Sequence, residues 1–282
     1  MSVSRKTSGP ASLLLHAALV LVSLMLLTPF LWLICATFKS QADMFDSVFL
    51  PWGHLDRLTT ANLRVLFTRE PFARWLLNSL FLASASTAIV VLLSSLGGFA
   101  LAKYQFRGKP VLMLIMLATM LVPHQVLLPG MYEIMFQIRW IDTYWAILVP
   151  GAVSVFGMFL FKQAMQAVPD ELLQAGRVDG CTEFGLWWNV ALPIVRPMVG
   201  AFTLLSFTGT WNSFLWPQIV LQTEAKYHLP IGLANMIGLP EYETQLGVLM
   251  AGTLCSVLPV MLLFFALQKD FIAGLTSGAV KG

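Results

Sequence analysis

Gln174, Ala175, Gly176, Arg177, Asp179, Gly180 and Glu183 fall within one short polar stretch, Pro169–Pro197, of a chain that is otherwise strongly apolar. A polar segment in so apolar a chain has a use if something docks there, and Ala175 and Gly176 are small where another surface could come close. That is the chemistry of docking rather than of bond making. Covalent or metal chemistry lacks its parts: the four histidines (16, 54, 124 and 228) are scattered, and Cys35, Cys181 and Cys255 form no CxxC pair. No cofactor, no metal and no catalytic site are expected, and the cysteines read as small buried residues.

Local helices must position the stretch. Pro169 followed by Asp170 and Glu171 opens a helix, with two acids beside its positive end. Leu172, Leu173, Ala175, Gly176 and Val178 give it an apolar-to-small face, and Asp179-Gly180 ends it in a turn. Thr182 caps a second helix with Glu183 in its first turn; Phe184, Trp187, Trp188, Val190, Ala191 and Leu192 form its greasy side before Pro193 stops it. Composition alone fits a docking element and an amphipathic linker lying on a membrane equally well.

The rest of the chain is span. Of 282 residues 57% are hydrophobic and 11% charged, against about 25% charged in a soluble domain. Mean hydropathy is +0.77. An all-α membrane protein is expected, with six spans at about 11–37, 75–102, 111–128, 144–161, 198–221 and 246–267. The first is too long for a signal-peptide core and ends without a small-residue cleavage pattern, so it reads as an uncleaved span. Arg5 and Lys6, then Lys103, Arg107 and Lys109, then Lys269 and Lys281 place both termini and the 103–110 loop in the cytoplasm. The loop at 166–197 falls on that side too. The longer 38–74 loop carries four arginines on the outer side, but long loops cross with less regard for charge. Without repeats, residues 11–282 read as one membrane domain behind a cytoplasmic segment 1–10. The net charge of +3 gives no reason to propose nucleic acid.

What the spans lack narrows the function. Residues 78–102, 144–161, 198–221 and 246–267 contain no Asp, Glu, Lys, Arg or His, the residues that mark proton relays and ion paths. His16 reads as interfacial, and His124, after Pro123, as a partner for backbone groups the proline frees. No phosphate-cradling GxxxxGK[ST] loop is present. If transport is active, its energy comes from another protein.

Gln174-Ala175-Gly176-Arg177-Val178-Asp179-Gly180-Cys181, followed by Trp187 and Leu192-Pro193, resembles the EAA loop of binding-protein-dependent ABC importer permeases, with Gln174, Gly176 and Cys181 departing from its usual acid and alanines. Pro29-Phe30-Leu31-Trp32, Phe38-Lys39, Asn62, Trp75 to Ser79, Ala100 to Lys103, Pro123, Ile141 to Tyr144, Trp211-Asn212 and the C-terminal Gly274 to Gly282 extend the resemblance along nearly the whole chain. The chain is similar to carbohydrate-uptake permeases of the maltose type, in the half resembling the smaller six-span subunit. The resemblance implies a type I ABC importer permease fold in the inner membrane of a prokaryote. It also implies a second permease subunit in a heterodimer, cytosolic ATP-binding subunits docked on Gln174 to Gly180 with Arg177 and Glu183 at the edge, an extracytoplasmic solute-binding protein and a sugar substrate. Thr208, Thr210, Trp211, Asn212 and Ser213, with Gln218, have the hydroxyls and aromatic face to line a sugar path. Interhelical packing with interfacial tryptophans fits the same residues. A non-sugar cargo such as a polyol phosphate, and a stand-alone secondary carrier, are the competing functions.

Overall fold

The computed structural model describes residues 10–52, 54–237 and 246–277, and among these every regular element is helical. Arg5, Lys6, Lys281 and the outer-loop residues 238–245 lie outside the described residues. Two compact units emerge: Met1–Pro71 with Asn235–Cys255, and Phe72–Ala234 with Ser256–Gly282.

In the first unit, α1 (Pro10–Phe38) is apolar on all sides and almost wholly exposed, the pattern of a helix whose solvent is lipid. Its C-terminal carbonyls are capped from afar: Asn62, in α2 (Ala61–Arg69), donates Nδ2 to both Thr37 O and Lys39 O at 2.8 Å. The buried Lys39 ammonium bonds Ser47 O, and Arg57 pairs with Asp43 at 3.1 Å.

The second unit is organised around α3 (Phe72–Lys103). Small residues let neighbours approach its backbone, as in membrane bundles generally. A Cβ on Gly98 would strike Phe161 of α7 (Val155–Gln166), and one on Gly157 would strike Phe202 of α11 (Arg196–Trp211). Phe161 and Phe202 meet edge to face at 5.4 Å.

Among the described residues three helices are long and apolar enough to cross a membrane: Ser12–Phe38 within α1, Phe72–Lys103, and Leu246–Gly274 within the last helix. The other three expected spans are broken. Residues 111–128 are not one helix: α4 (Lys109–Met120) and α5 (His124–Gln137) meet at 99°. Pro123 lacks the N–H that would continue α4 and disfavours helix at Val122. His124 is the exposed first residue of α5. Residues 144–161 divide into α6 (Trp145–Leu148) and α7, separated at Pro150-Gly151, where Ser154 Oγ caps α7 by accepting from Gly157 N at 3.0 Å. Residues 198–221 divide into α11 and a later short helix, Leu215–Val220. Here Asn212 Nδ2 donates to the Thr208 carbonyl at 2.9 Å, closing the helix end with a side chain.

Candidate functional site

The polar stretch forms two helices joined at a tight corner. Helix α8 (Asp170–Val178) starts after Pro169, held extended at ψ 133°, and is terminated by Gly180, whose φ of +82° favours a residue without Cβ. Cys181 N bonds Gly176 O at 2.9 Å and Gly180 N bonds Arg177 O at 3.1 Å, the Schellman pairing that satisfies a helix's last carbonyls. Helix α9 (Glu183–Leu186) follows with Thr182 Oγ1 accepting from Gly185 N at 3.1 Å. It runs through a π-turn, Trp187–Ala191, into α10 (Leu192–Ile194), and an 87° bend then leads to α11.

The corner has an apolar underside. Leu173, Leu186, Trp187 and Ala191 are buried in one cluster with Val90 and Phe99 of α3, Phe161 of α7 and Phe202 of α11. Burying a leucine or aromatic this fully contributes about 2 kcal/mol each relative to water, so the loop is seated on the helices rather than draped over them.

Charge holds its rim. Arg177 reaches across the corner and grips Glu183 with two parallel bonds, Nε to Oε1 at 2.8 Å and Nη2 to Oε2 at 3.1 Å. The Tyr104 hydroxyl donates to the same carboxylate. Hydrogen bonds from Arg177 and then Tyr104 pull the Glu183 carboxyl down to about 2, while burial and then the Glu183 carboxylate push the Tyr104 phenol up. Lys103, only 7% exposed, donates to Val168 O at 2.5 Å and to Asp170 Oδ1 at 2.7 Å.

The sequence-derived residues therefore sort by position. Gln174, Ala175, Asp179 and Gly180 are exposed. Gly176 and Arg177 are half-buried and face inward: a Cβ on Gly176 would stand 2.5 Å from Leu186 Cδ2. Glu183 is exposed but committed to Arg177 and Tyr104. Two participants were missing from the sequence-derived set. Lys103 was read as a topological charge and as part of the Ala100 to Lys103 match, and Tyr104 not at all, because their partners lie 65 to 79 residues away. Leu172, Val178 and Phe184 are also exposed, Val178 at 88%, giving the outer face an apolar component.

The second group of candidates lies where α11 ends. Trp211 is 4% exposed, stacks on Phe207 at 5.6 Å and donates Nε1 to Ser256 O at 3.2 Å, so its ring packs between helices. Ser213 contributes its carbonyl to His228 Nε2 at 2.6 Å. That bond requires the proton on Nε2 and leaves Nδ1 buried without a partner. Thr208 and Thr210 are half-buried, and Asn212 and Gln218 are exposed. None of these residues lines the cavity of about 580 Å³ found in this unit; Ser84, Thr87, Ser95, Trp187, Thr203 and Phe207 do. No ionisable side chain is among its walls, and Thr87 Oγ1 and Trp187 Nε1 are buried without partners. Its hydroxyls escaped the sequence reading because single serines and threonines in an apolar helix usually bond their own backbone.

Comparisons with known proteins agree with this geometry. Residues 94–275 match the family described as "Binding-protein-dependent transport system inner membrane component". The arabinooligosaccharides transport system permease protein AraQ of Halalkalibacterium halodurans is 33% identical, with 99% of this chain and all of that protein covered. The lactose transport system permease protein LacG of Rhizobium radiobacter is 29% identical over 94% of this chain and 95% of that one. A chain in the crystal structure of a bacterial ABC transporter involved in the import of the acidic polysaccharide alginate superimposes with a TM-score of 0.82. It covers 96% of this chain and 100% of that one at 20% identity, a likeness of fold.

Proposed function

Because the chain belongs to the binding-protein-dependent transport system inner membrane component family, and so is a multi-pass inner-membrane permease subunit, we propose that it forms half of the pathway of an ATP-driven importer for a neutral sugar or oligosaccharide. In this reading residues 11–282 are one membrane domain of the type I kind. The chain crosses six times, at about 11–37, 75–102, 111–128, 144–161, 198–221 and 246–267, with broken helices in the third to fifth crossings. Both termini face the cytoplasm, where Lys103, Arg107, Lys109 and Lys269 sit. The other half of the pathway is a different permease subunit. A solute-binding protein delivers cargo outside, and ATP-binding subunits dock inside on the loop at 166–197.

The observation that carries the reading is the loop's two-sidedness. Its underside is continuous with the core of α3, α7 and α11, while Gln174, Ala175, Val178, Asp179 and Gly180 stand exposed on the other side. Such an element can take a push from a partner and pass it to the helices as rigid-body motion. Cargo neutrality is supported by the relatives named for arabinooligosaccharides and lactose, and by the cavity without an ionisable wall. An anionic cargo such as a polyol phosphate would favour cationic walls.

Co-purification tests the docking. The unaltered chain is expected to bring down an ATP-hydrolysing subunit, and Asp179→Arg or Gly180→Trp to abolish that capture while the protein still inserts. Normal capture and uptake in both variants would defeat the assignment. Reconstituted by itself, the chain should move no carbohydrate.

A further inference from the structure

Lys103 and Tyr104 are neighbours in sequence, the last residue of α3 and the first beyond it, yet they hold the loop at two separate places. Lys103 bonds Val168 O and Asp170, at the start of α8. Tyr104 bonds Glu183, which Arg177 clamps at the other end of α8. That helix has nine residues and is about 13 Å long, so one helix terminus grips both ends of the docking element. We infer that Lys103 and Tyr104 form a two-point linkage through which displacement of the loop reorients α3, and that they are positioning residues for transport.

Mechanics supports two points rather than one. A single contact transmits a pull but lets the partner pivot; two contacts at opposite ends of a short helix fix its direction. The Lys103 ammonium is nearly enclosed, with two acceptors, so it cannot leave α8 without stranding a charge. Phe99, one turn earlier on α3, meets the Tyr104 ring edge to face at 5.9 Å and keeps it aimed at the corner. The turn continues the linkage forward, since Lys109 Nζ donates to Tyr104 O at 2.9 Å from the first residue of α4. The loop's seat does not rest on these polar links alone, because Leu173, Leu186 and Trp187 are buried in one cluster with Phe99 and Phe161. The links sit at the rim, where they can set angle without carrying the fold.

This inference rests on the loop being the docking face for the ATP-binding subunits, and the experiment separates the two. The complete transporter is reconstituted in liposomes with its solute-binding protein, and solute moved per ATP hydrolysed is measured for the unaltered chain, Tyr104→Phe, Lys103→Met and Lys103→Arg. Tyr104→Phe and Lys103→Met are expected to capture the ATP-binding subunit and hydrolyse ATP as before, while solute moved per ATP falls about tenfold; Lys103→Arg restores it. An unchanged ratio in both variants overturns the linkage. So does loss of subunit capture in step with transport, which would make the pair merely structural. Failure of the unaltered chain to capture any ATP-binding subunit overturns the docking reading beneath it.

Discussion

The two ends of α3 are held by opposite kinds of bond. Near its start, Asn78 Nδ2 donates to Ala225 O at 3.0 Å and Tyr227 O at 2.7 Å, and Ser79 Oγ accepts from Leu229 N at 2.7 Å. Trp75 lies so close to Gly232 that a Cβ there would overlap the indole. The groups that Asn78 and Ser79 meet are all neutral backbone, so only these two short side chains could let go at this end. Beside them Asp142, at φ +59°, takes hydrogen bonds from Lys226, Thr223 and Gln222. Burial would raise its carboxyl, but those bonds outweigh it and hold it well below the usual carboxylate range. At the far end the partners are mostly charged side chains, Glu183 and Asp170 exposed and Arg177 half-buried. One end is built as an anchor, the other as a joint.

If that contrast is right, substitutions at the two ends fail differently. The largest effect is expected from Gly232→Val, whose side chain has nowhere to go but into Trp75; overpacking of this kind costs about 3 kcal/mol and here shifts a helix against backbone. The purified variant should unfold at a clearly lower temperature in detergent, if it accumulates at all. Wild-type thermal stability would show that the anchor is soft. Asn78→Leu comes next. It strands two carbonyls at roughly 1 kcal/mol each, so a lower melting temperature is expected with solute moved per ATP unchanged. A lost ratio with preserved melting would reverse the roles of the two ends.

At the joint, Glu183→Gln should do the opposite. It keeps the shape and one acceptor but removes the charge that Arg177 grips bidentately. Solute moved per ATP is expected to fall about threefold with thermal stability unaltered, a smaller loss than removing Lys103 or Tyr104 because the apolar underside remains. A stability loss without a coupling loss would make the clamp a second anchor.

How much of this was legible beforehand follows from what a sequence window sees. The ends of α1, of α3 and the start of the last helix lie within about three residues of the expected apolar runs, since a helix apolar on every side needs only composition to be found. The corner at Gly180 and the Thr182 cap were readable too, because turn chemistry is local. Hydropathy carries no direction, however, so it did not reveal the 99° bend at Pro123 or the divisions at Pro150-Gly151 and Asn212. The rim was the least visible part of the candidate site. Arg177 and Glu183 are six residues apart, and their pairing depends on a corner whose angle is set by Leu173 and Leu186 beneath it. Lys103 and Tyr104 look like any basic, aromatic end of a span until the fold brings Asp170 and Glu183 to them.

The smallest effect expected is an absence of one. Glu183 is pulled down to about 2 from an ordinary value near 4.5, so its contribution to the clamp is complete above 4.5 and is lost only as pH falls through about 2. Tyr104 is pushed above its ordinary value of 10, so the bond it donates is complete below 10 and is lost only as pH rises through that higher value. Between those limits neither group changes charge. Hydrogen exchange of the loop amides from Asp170 to Leu186, corrected for the intrinsic rate, should therefore give the same protection at pH 5 and pH 8.5. In Glu183→Gln the protection should be lower, by the same factor at both pH values. The bonds at the anchor are neutral apart from Asp142 and Lys226, and the Asp142 carboxyl is depressed as well, so the flat profile alone does not separate the two ends. The variant does: lowered protection that stays within the corner marks a joint that can loosen locally, whereas lowered protection that spreads along α3 to Asn78 would mean that the helix is held by one continuous structure and has no hinge at Lys103.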